Sequence, residues 1–490
     1  MIETLQIENN QDQKQHQELV LEVGTILATD FFDTNTSVTL PDYQRPYVWN
    51  TEKLEQLLKD FKDHFFTIDG FNNNAPHYYL GCVLLYQRSQ NEFEVIDGQQ
   101  RITSLLILDH SWNESKSYLS QNKWNLEYSS MLSTSVIKHN YSYLKGNIDH
   151  QIKKYLSCIF SKLVFTVIKT NSEDEAFTFF DSQNSRGVSL SAVDFLKSYH
   201  LRELKGKEDL QRLFAKQWDS NNKAQFLTEL FDLILWRSRS WKGNRLSFEN
   251  KDAILKDFQK KTIKVENNDN IHLYPNIFNA LANQLTYDSE VGASIQPNIL
   301  NLQTKASQYP FSIRQPIQKG IGFFLYTEKY YAIYNQLFFY KKFEHFTKVY
   351  NGLISQNSNY LKTFFRLASV VYYDKFKEDN LIAFALWMDY LLGSYRLYQK
   401  TIVTQTVLKI LKDNSQNLLD VIEMAYRPEE VFHFIRSITN DNHYATDLTN
   451  DSKHGVRRTY QNANFYFYKK ENNTKLTSKK SWINEYLGTK

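Results

Sequence analysis

Apolar positions along the first two hundred residues switch repeatedly between two periods. "SVTLPDYQRPYVWN" (Ser37 to Asn50) predicts an extended segment running into a proline-bounded loop, because Pro41 and Pro46 push their preceding residues out of helix. Behind it Leu54, Leu57, Leu58, Phe61 and Phe65 recur at helical spacing, with Asn50 placed to cap. "YYLGCVLLY" (Tyr78 to Tyr86) and "FEVI" (Phe93 to Ile96) predict a hairpin around a polar stretch, followed by a helix from Gln99 to about Ser115. A strand over Lys162 to Lys169 leads to a helix announced by Ser172 and Glu175 and running to about Ser182. After the loop "QNSRGVSL", Ser191 and Asp194 repeat the capping-box spacing at the head of another helix.

This mixture predicts a small α/β domain over 21–205 behind a loose lead-in, 1–20. From 206 to 435 the pattern is helical, as in "AQFLTELFDLILWRSRSW" (Ala224 to Trp241) and "GFFLYTEKYYAIYNQLFFYKKFEHFTKVY" (Gly322 to Tyr350). Aromatics at that spacing read as core, and no period of a solenoid repeats. The expected class is α+β, with a mostly helical second region and a basic, aromatic segment over 436–490.

Composition adds four points. Among 490 residues, 15 Gly and 8 Pro favour long helices, while 34 Phe and 32 Tyr argue for a folded chain almost throughout. Cys82 and Cys158 alone fit a reducing compartment and exclude a cysteine-built zinc module. The N-terminus is polar, and "LIAFALWMDYLLGSY" (Leu381 to Tyr395) is short and broken by Asp389. The expectation is a cytoplasmic protein with no membrane span. Net charge is +4, yet Asp451 to Lys490 carries nine Lys/Arg against three acids, +6 in all. Such an end suits a polyanion, and it equally suits a solvated lysine-rich tail.

Candidate chemistry gathers at three corners: "YQRPYVW" (Tyr43 to Trp49), "DGQQR" (Asp97 to Arg101) and "NSRG" (Asn184 to Gly187). Each holds one arginine beside amides. Guanidinium forks match phosphate oxygens, Gly98 and Gly187 let backbone N–H groups approach an anion, and the helix opened by Gln99 adds its dipole. Three arginines without paired acids call for an anion, and a triphosphate suits them. Asp97 is placed to hold Mg²⁺ or orient a water, and Asp194 with Lys197 could join the site. Taken singly, each corner is also an ordinary turn or cap.

"LPDYQRPYVW", "VIDGQQRITSLL" and "FDSQNSRGVSLSAVDFLKSY" resemble, in order and spacing, three signatures of the N-terminal domain of GmrSD-type modification-dependent restriction enzymes, related to the ParB/sulfiredoxin fold. The resemblance covers roughly residues 20 to 205. It implies binding and hydrolysis of a nucleoside triphosphate through the DGQQR motif, coupled to DNA restriction in antiphage defence. Residue by residue it implicates Gln44, Arg45, Asp97, Gly98, Gln99, Gln100 and Arg101, then Asn184, Arg186, Gly187, Asp194 and Lys197. Asp97, Gln99, Gln100 and Arg101 are the candidate catalytic group.

Many relatives add an HNH-type nuclease. His433, His443 and His454 lack that context here, and "NDNHYATD" (Asn440 to Asp447) is the nearest approach. The nuclease is expected to be absent, degenerate or supplied by another polypeptide. "RRTYQNANFYFYKK" (Arg457 to Lys470) interleaves charge with aromatics. With "NFYFYKK" as a strand, Arg457, Arg458, Lys469 and Lys470 would flank a surface for DNA, or guard an edge strand against aggregation. Three functions are carried forward: an NTPase of a restriction system, a non-hydrolysing nucleotide-switched DNA-binding module that recruits a separate nuclease, and a nuclease built on Asp441, His443 and Asp447. The expected partners are DNA and either a separate nuclease subunit or a second copy of the chain.

Overall fold

The computed structural model describes the chain from 21 to 488, apart from 34–36, 42–43, 122–123, 125, 129, 173–174, 177–178, 180–190, 205, 221–222, 266–269, 277–278, 280–282, 298–304, 341, 453–454 and 473–474, and the side chains of 223–225 and 288. The chain divides into two compact units. The first runs to Leu190 with Ala215–Ser220 added, and the second comprises Ser191–Phe214 and Asn221–Lys490.

The first unit is built on five strands: β1 (Leu21–Leu27), β2 (Ser37–Thr39), β3 (Tyr78–Ser89), β4 (Glu92–Asp97) and β5 (Leu163–Thr170), in the order β1-β5-β3-β4-β2. The expected hairpin is β3–β4, antiparallel from Ser89↔Glu92 to Leu84↔Asp97. β5 lies parallel to β3 on its other side, and β1 closes that edge antiparallel to β5. Helix α1 (Thr51–Phe65) begins as expected, the Asn50 side chain accepting the Lys53 N–H, and buries Leu54, Leu57, Phe61 and Phe65. Helix α2 (Gln99–Asn113) is buried on nearly all sides, with Ile102, Leu105 and Leu106 joining Val83, Leu85, Val95 and Phe165 in one core. Helix α3 (Met131–Gly146) packs beside α2.

The second unit is largely helical, so the α+β class stands. Its first helix, α4 (Ala192–Arg202), carries the expected capping box, Ser191 with Asp194. Sequence texture changes near 205, but packing changes at 190, because His200 anchors α4 in the second unit. The buried His200 ring donates through Nε2 to the Phe258 carbonyl at 2.8 Å, accepts the Gly320 N–H at Nδ1 at 3.2 Å, and stacks on Phe323. Both nitrogens are committed, so the ring is held neutral. Burial pushes its pKa down from 6.5 to about 3. The unfolded chain therefore binds a proton that the fold refuses, and stability is complete above pH 6.5 and falls with pH towards 3. Between pH 7 and pH 4 this residue alone is expected to remove on the order of 3 kcal/mol. Denaturant titrations across that range should show a shallower pH slope in His200→Gln than in the wild type.

Two elements differ from expectation. A hairpin of Asn283–Asp288 with Gly292–Pro297 interrupts the helical region. "NFYFYKK" is not a strand but the end of helix α5 (Val456–Tyr468), because Tyr460, Gln461, Asn464, Phe465 and Tyr468 bury one helical face. No helix among the described residues is long and apolar enough to cross a membrane.

Candidate functional site

β4 ends at Asp97, and the chain turns through Gly98 into α2. Gly98 has φ +98°, and a Cβ there would stand 2.9 Å from Val83 Cγ2, so the corner requires glycine on both counts. No side chain caps α2, and its first turn holds no acid. Its leading N–H groups and the positive end of its dipole are therefore left without a side-chain cap or an acid of the first turn.

Arg101 stands one turn into α2. Its Nη2 lies 3.5 Å from Asp97 Oδ2, and Nη1 donates to the Leu80 carbonyl at 2.9 Å. The expectation of arginines without acid partners fails here, because the i, i+4 spacing of Asp97 and Arg101 spans one helical turn. Both side chains remain about one quarter exposed. Gly81, which the sequence reading passed over, makes this arrangement possible. It has φ +100°, and a Cβ there would sit 2.2 Å from Arg101 Nη1. A lone glycine inside an apolar strand pattern is the signal that could have found it.

The loop "QRPYVW" is tied against the same corner from several directions. Gln44 Nε2 donates to the carbonyls of Val95 (2.7 Å) and Ile96 (2.6 Å). Buried Gln100 accepts the N–H groups of Val48 (3.0 Å) and Trp49 (3.3 Å) on Oε1 and donates from Nε2 to the Pro46 carbonyl (3.1 Å). Asn140 of α3, also missed by the sequence, donates to Tyr47 Oη (3.1 Å) and the Trp49 carbonyl (2.7 Å). Tyr47 Oη meets Ser104 Oγ at 2.8 Å.

Both ends of the Gln100 amide are thus committed to backbone rather than open to a phosphate. Arg45 lies between the tethered residues Gln44 and Pro46. It is half-buried and makes no ion pair or hydrogen bond with a described residue. Gln99 is buried, and its Oε1 has no donor among the described residues.

Asn184, Arg186 and Gly187 lie outside the described residues. Asp194 Oδ2 accepts from the backbone N–H and hydroxyl of Ser191, 3.1 and 2.7 Å, so its carboxylate caps α4. Lys197 is buried on the same helix.

The basic end is more committed than its charge count implies. Arg457 forms a two-pronged pair with Asp451 (2.6 and 2.8 Å), Arg458 bonds Gln461, Lys470 pairs with Glu485 at 2.8 Å, and Lys469 closes α5 in left-handed conformation. Among the residues weighed for a nuclease, Asp441 takes the Tyr390 hydroxyl and Lys480, His443 stacks on Tyr398, and Asp447 holds Thr449. No group of three or more His, Cys, Asp or Glu among the described residues is placed to hold a metal ion.

Residues 28–201 match the family described as the GmrSD restriction endonuclease, N-terminal domain. This part of the chain belongs to that domain family. Residues 210–453 match a family of unknown function (DUF7834). No curated protein matches the chain.

Proposed function

We propose that the N-terminal domain binds a nucleoside triphosphate with Mg²⁺ at the Asp97–Arg101 corner and hydrolyses it, as a component of an antiphage restriction system acting on DNA. The observation that carries this reading is Arg45, a half-buried guanidinium without a partner among the described residues, on a loop that Gln44 and Gln100 tie to the end of β4 and the first turn of α2. A guanidinium without an acid partner, on a loop tied next to an uncapped helix N-terminus, favours a multiply charged anion.

In this reading Arg45 and the first turn of α2 hold phosphate oxygens. Arg101, steadied by Leu80 and Asp97, adds a second guanidinium. Mg²⁺, which takes one or two carboxylates together with phosphate, would be held by Asp97 and would screen the phosphate charge. The Gln99 carbonyl, lacking a donor, is suited to accept from a water and orient it. Gln100 is a positioning residue that sets the Arg45 loop. Asn184, Arg186 and Gly187 remain proposed contributors by resemblance. Sensing of DNA or a partner is assigned to the helical region.

The test is phosphate release from ATP, GTP, CTP and UTP with Mg²⁺, with and without phage DNA, beside Asp97→Ala and Arg45→Ala. The expected result is turnover with at least one nucleotide, stimulated by DNA and reduced at least a hundredfold in both variants. Tight binding without turnover would instead support the nucleotide-switched module that recruits a separate nuclease. Neither binding nor turnover would overturn both.

A further inference from the structure

The helical unit contains a cavity of about 340 Å³, within the size range of small-molecule pockets. Most of the charge that lines it is already matched. Arg314 reaches Asp420 at 2.5 Å and donates to the carbonyls of Ser238 and Trp241. Buried Lys329 reaches Asp374 at 2.5 Å, and Asp374 also takes the Tyr330 hydroxyl, the Ile313 N–H and, at 3.7 Å, Lys377.

Two charged groups of the lining are left over. Lys375 donates to the backbone carbonyl of Glu423 at 3.0 Å and makes no ion pair with a described residue. The Glu423 carboxyl has neither an ion pair nor a hydrogen bond with a described residue. Burial and the neighbouring Asp374 raise its pKa to about 7, against the pull of Arg314, Lys375 and Lys242. A carboxyl set in a cavity without a donor is a binding group in search of a ligand.

We propose that this cavity binds a small zwitterion of amino-acid type, its ammonium on the Glu423 carboxylate and its carboxylate on Lys375. Charge accounting selects the class. A simple anion would satisfy Lys375 and leave the Glu423 carboxyl without a donor in either protonation state, and a simple cation would hold Glu423 ionised and leave Lys375 without an anion. A zwitterion matches both without disturbing the two internal pairs. Tyr274 and Phe311, also in the lining, supply apolar wall for a side chain. The proposal stands apart from the nucleotide reading, since it concerns a different unit and different residues.

The experiment is isothermal titration of the full chain with each of the twenty standard α-amino acids, with acetate and methylamine as half-ligands. At least one amino acid should bind saturably, with each half-ligand at least tenfold weaker. Glu423→Gln and Lys375→Met, chosen to keep side-chain volume, should each weaken that binding about tenfold or more. No binding by any amino acid to the wild type would overturn the proposal, and this arm needs no variant to fold. Acetate or methylamine binding as tightly as the best amino acid would overturn it too, as would unchanged affinity in both variants.

Discussion

Lys479→Met is expected to destabilise the helical unit by about 3–5 kcal/mol, the cost of leaving one member of a buried ion pair alone. Lys479 and Asp389 are both fully buried, with Nζ 2.5 Å from Asp389 Oδ2. Tyr460 shares the arrangement, its hydroxyl lying 2.5 Å from Nζ and donating to Asp389 Oδ1 at 2.9 Å. Burial pulls the Lys479 pKa down while Asp389 pulls it back up. The pair joins the last helix, Lys479–Gly488, to the buried helix Leu381–Tyr398. Exposed Lys475, four residues earlier, is the control: Lys475→Met should change stability by no more than about 0.5 kcal/mol. Replacing both partners with apolar residues, Lys479→Met with Asp389→Leu, should recover most of the loss, because no buried charge then remains. Urea unfolding of the four proteins checks all of this. Equal small losses in Lys479→Met and Lys475→Met would show that the pair does not hold the terminal segment.

Gln100→Met is expected to cost about 2–4 kcal/mol and to weaken nucleotide binding at least tenfold, although in this account Gln100 does not touch the nucleotide. The substitution leaves the N–H groups of Val48 and Trp49 and the carbonyl of Pro46 without their side-chain partner, and each such part-buried bond left unmade costs about 1 kcal/mol or somewhat more, not fully additive. The loop that carries Arg45 then loses one of its tethers. Thermal unfolding gives the first effect and nucleotide titration the second. A stability loss with unchanged affinity would show that the clamp is structural and does not position Arg45.

Most of the regular elements near the candidate site were legible because their signals are local. The Asn50 cap, the β3–β4 hairpin and the Ser191–Asp194 capping box each depend on residues a few positions apart. What escaped notice depends on distance in the chain. Gln100 meets Pro46, Val48 and Trp49 more than fifty residues away, and Asn140 meets Tyr47 across 93. No periodicity reports such contacts. The motif therefore reads in sequence as one catalytic group of Asp97, Gln99, Gln100 and Arg101, whereas Gln100 ties a loop, Arg101 pairs with Asp97, and Gln99 alone keeps a carbonyl without a donor among the described residues. The alternating "NFYFYKK" imitates a strand because Phe465 and Tyr468 are aromatic, and only their burial with Tyr460 on one face reveals a helix. Lys479 was counted as tail charge for the same reason: nothing next to it in sequence announces Asp389.

The proposal stands or falls on Arg45, carried by the loop tied to the uncapped N-terminus of α2, as the side chain that holds a triphosphate. Equilibrium titration of a fluorescent nucleoside triphosphate with Mg²⁺ into the wild type and Arg45→Ala tests it most directly, with unfolding curves to show that both are folded. The account predicts saturable binding to the wild type, weakened at least tenfold in Arg45→Ala without loss of stability. Equal affinity in the two folded proteins would contradict it.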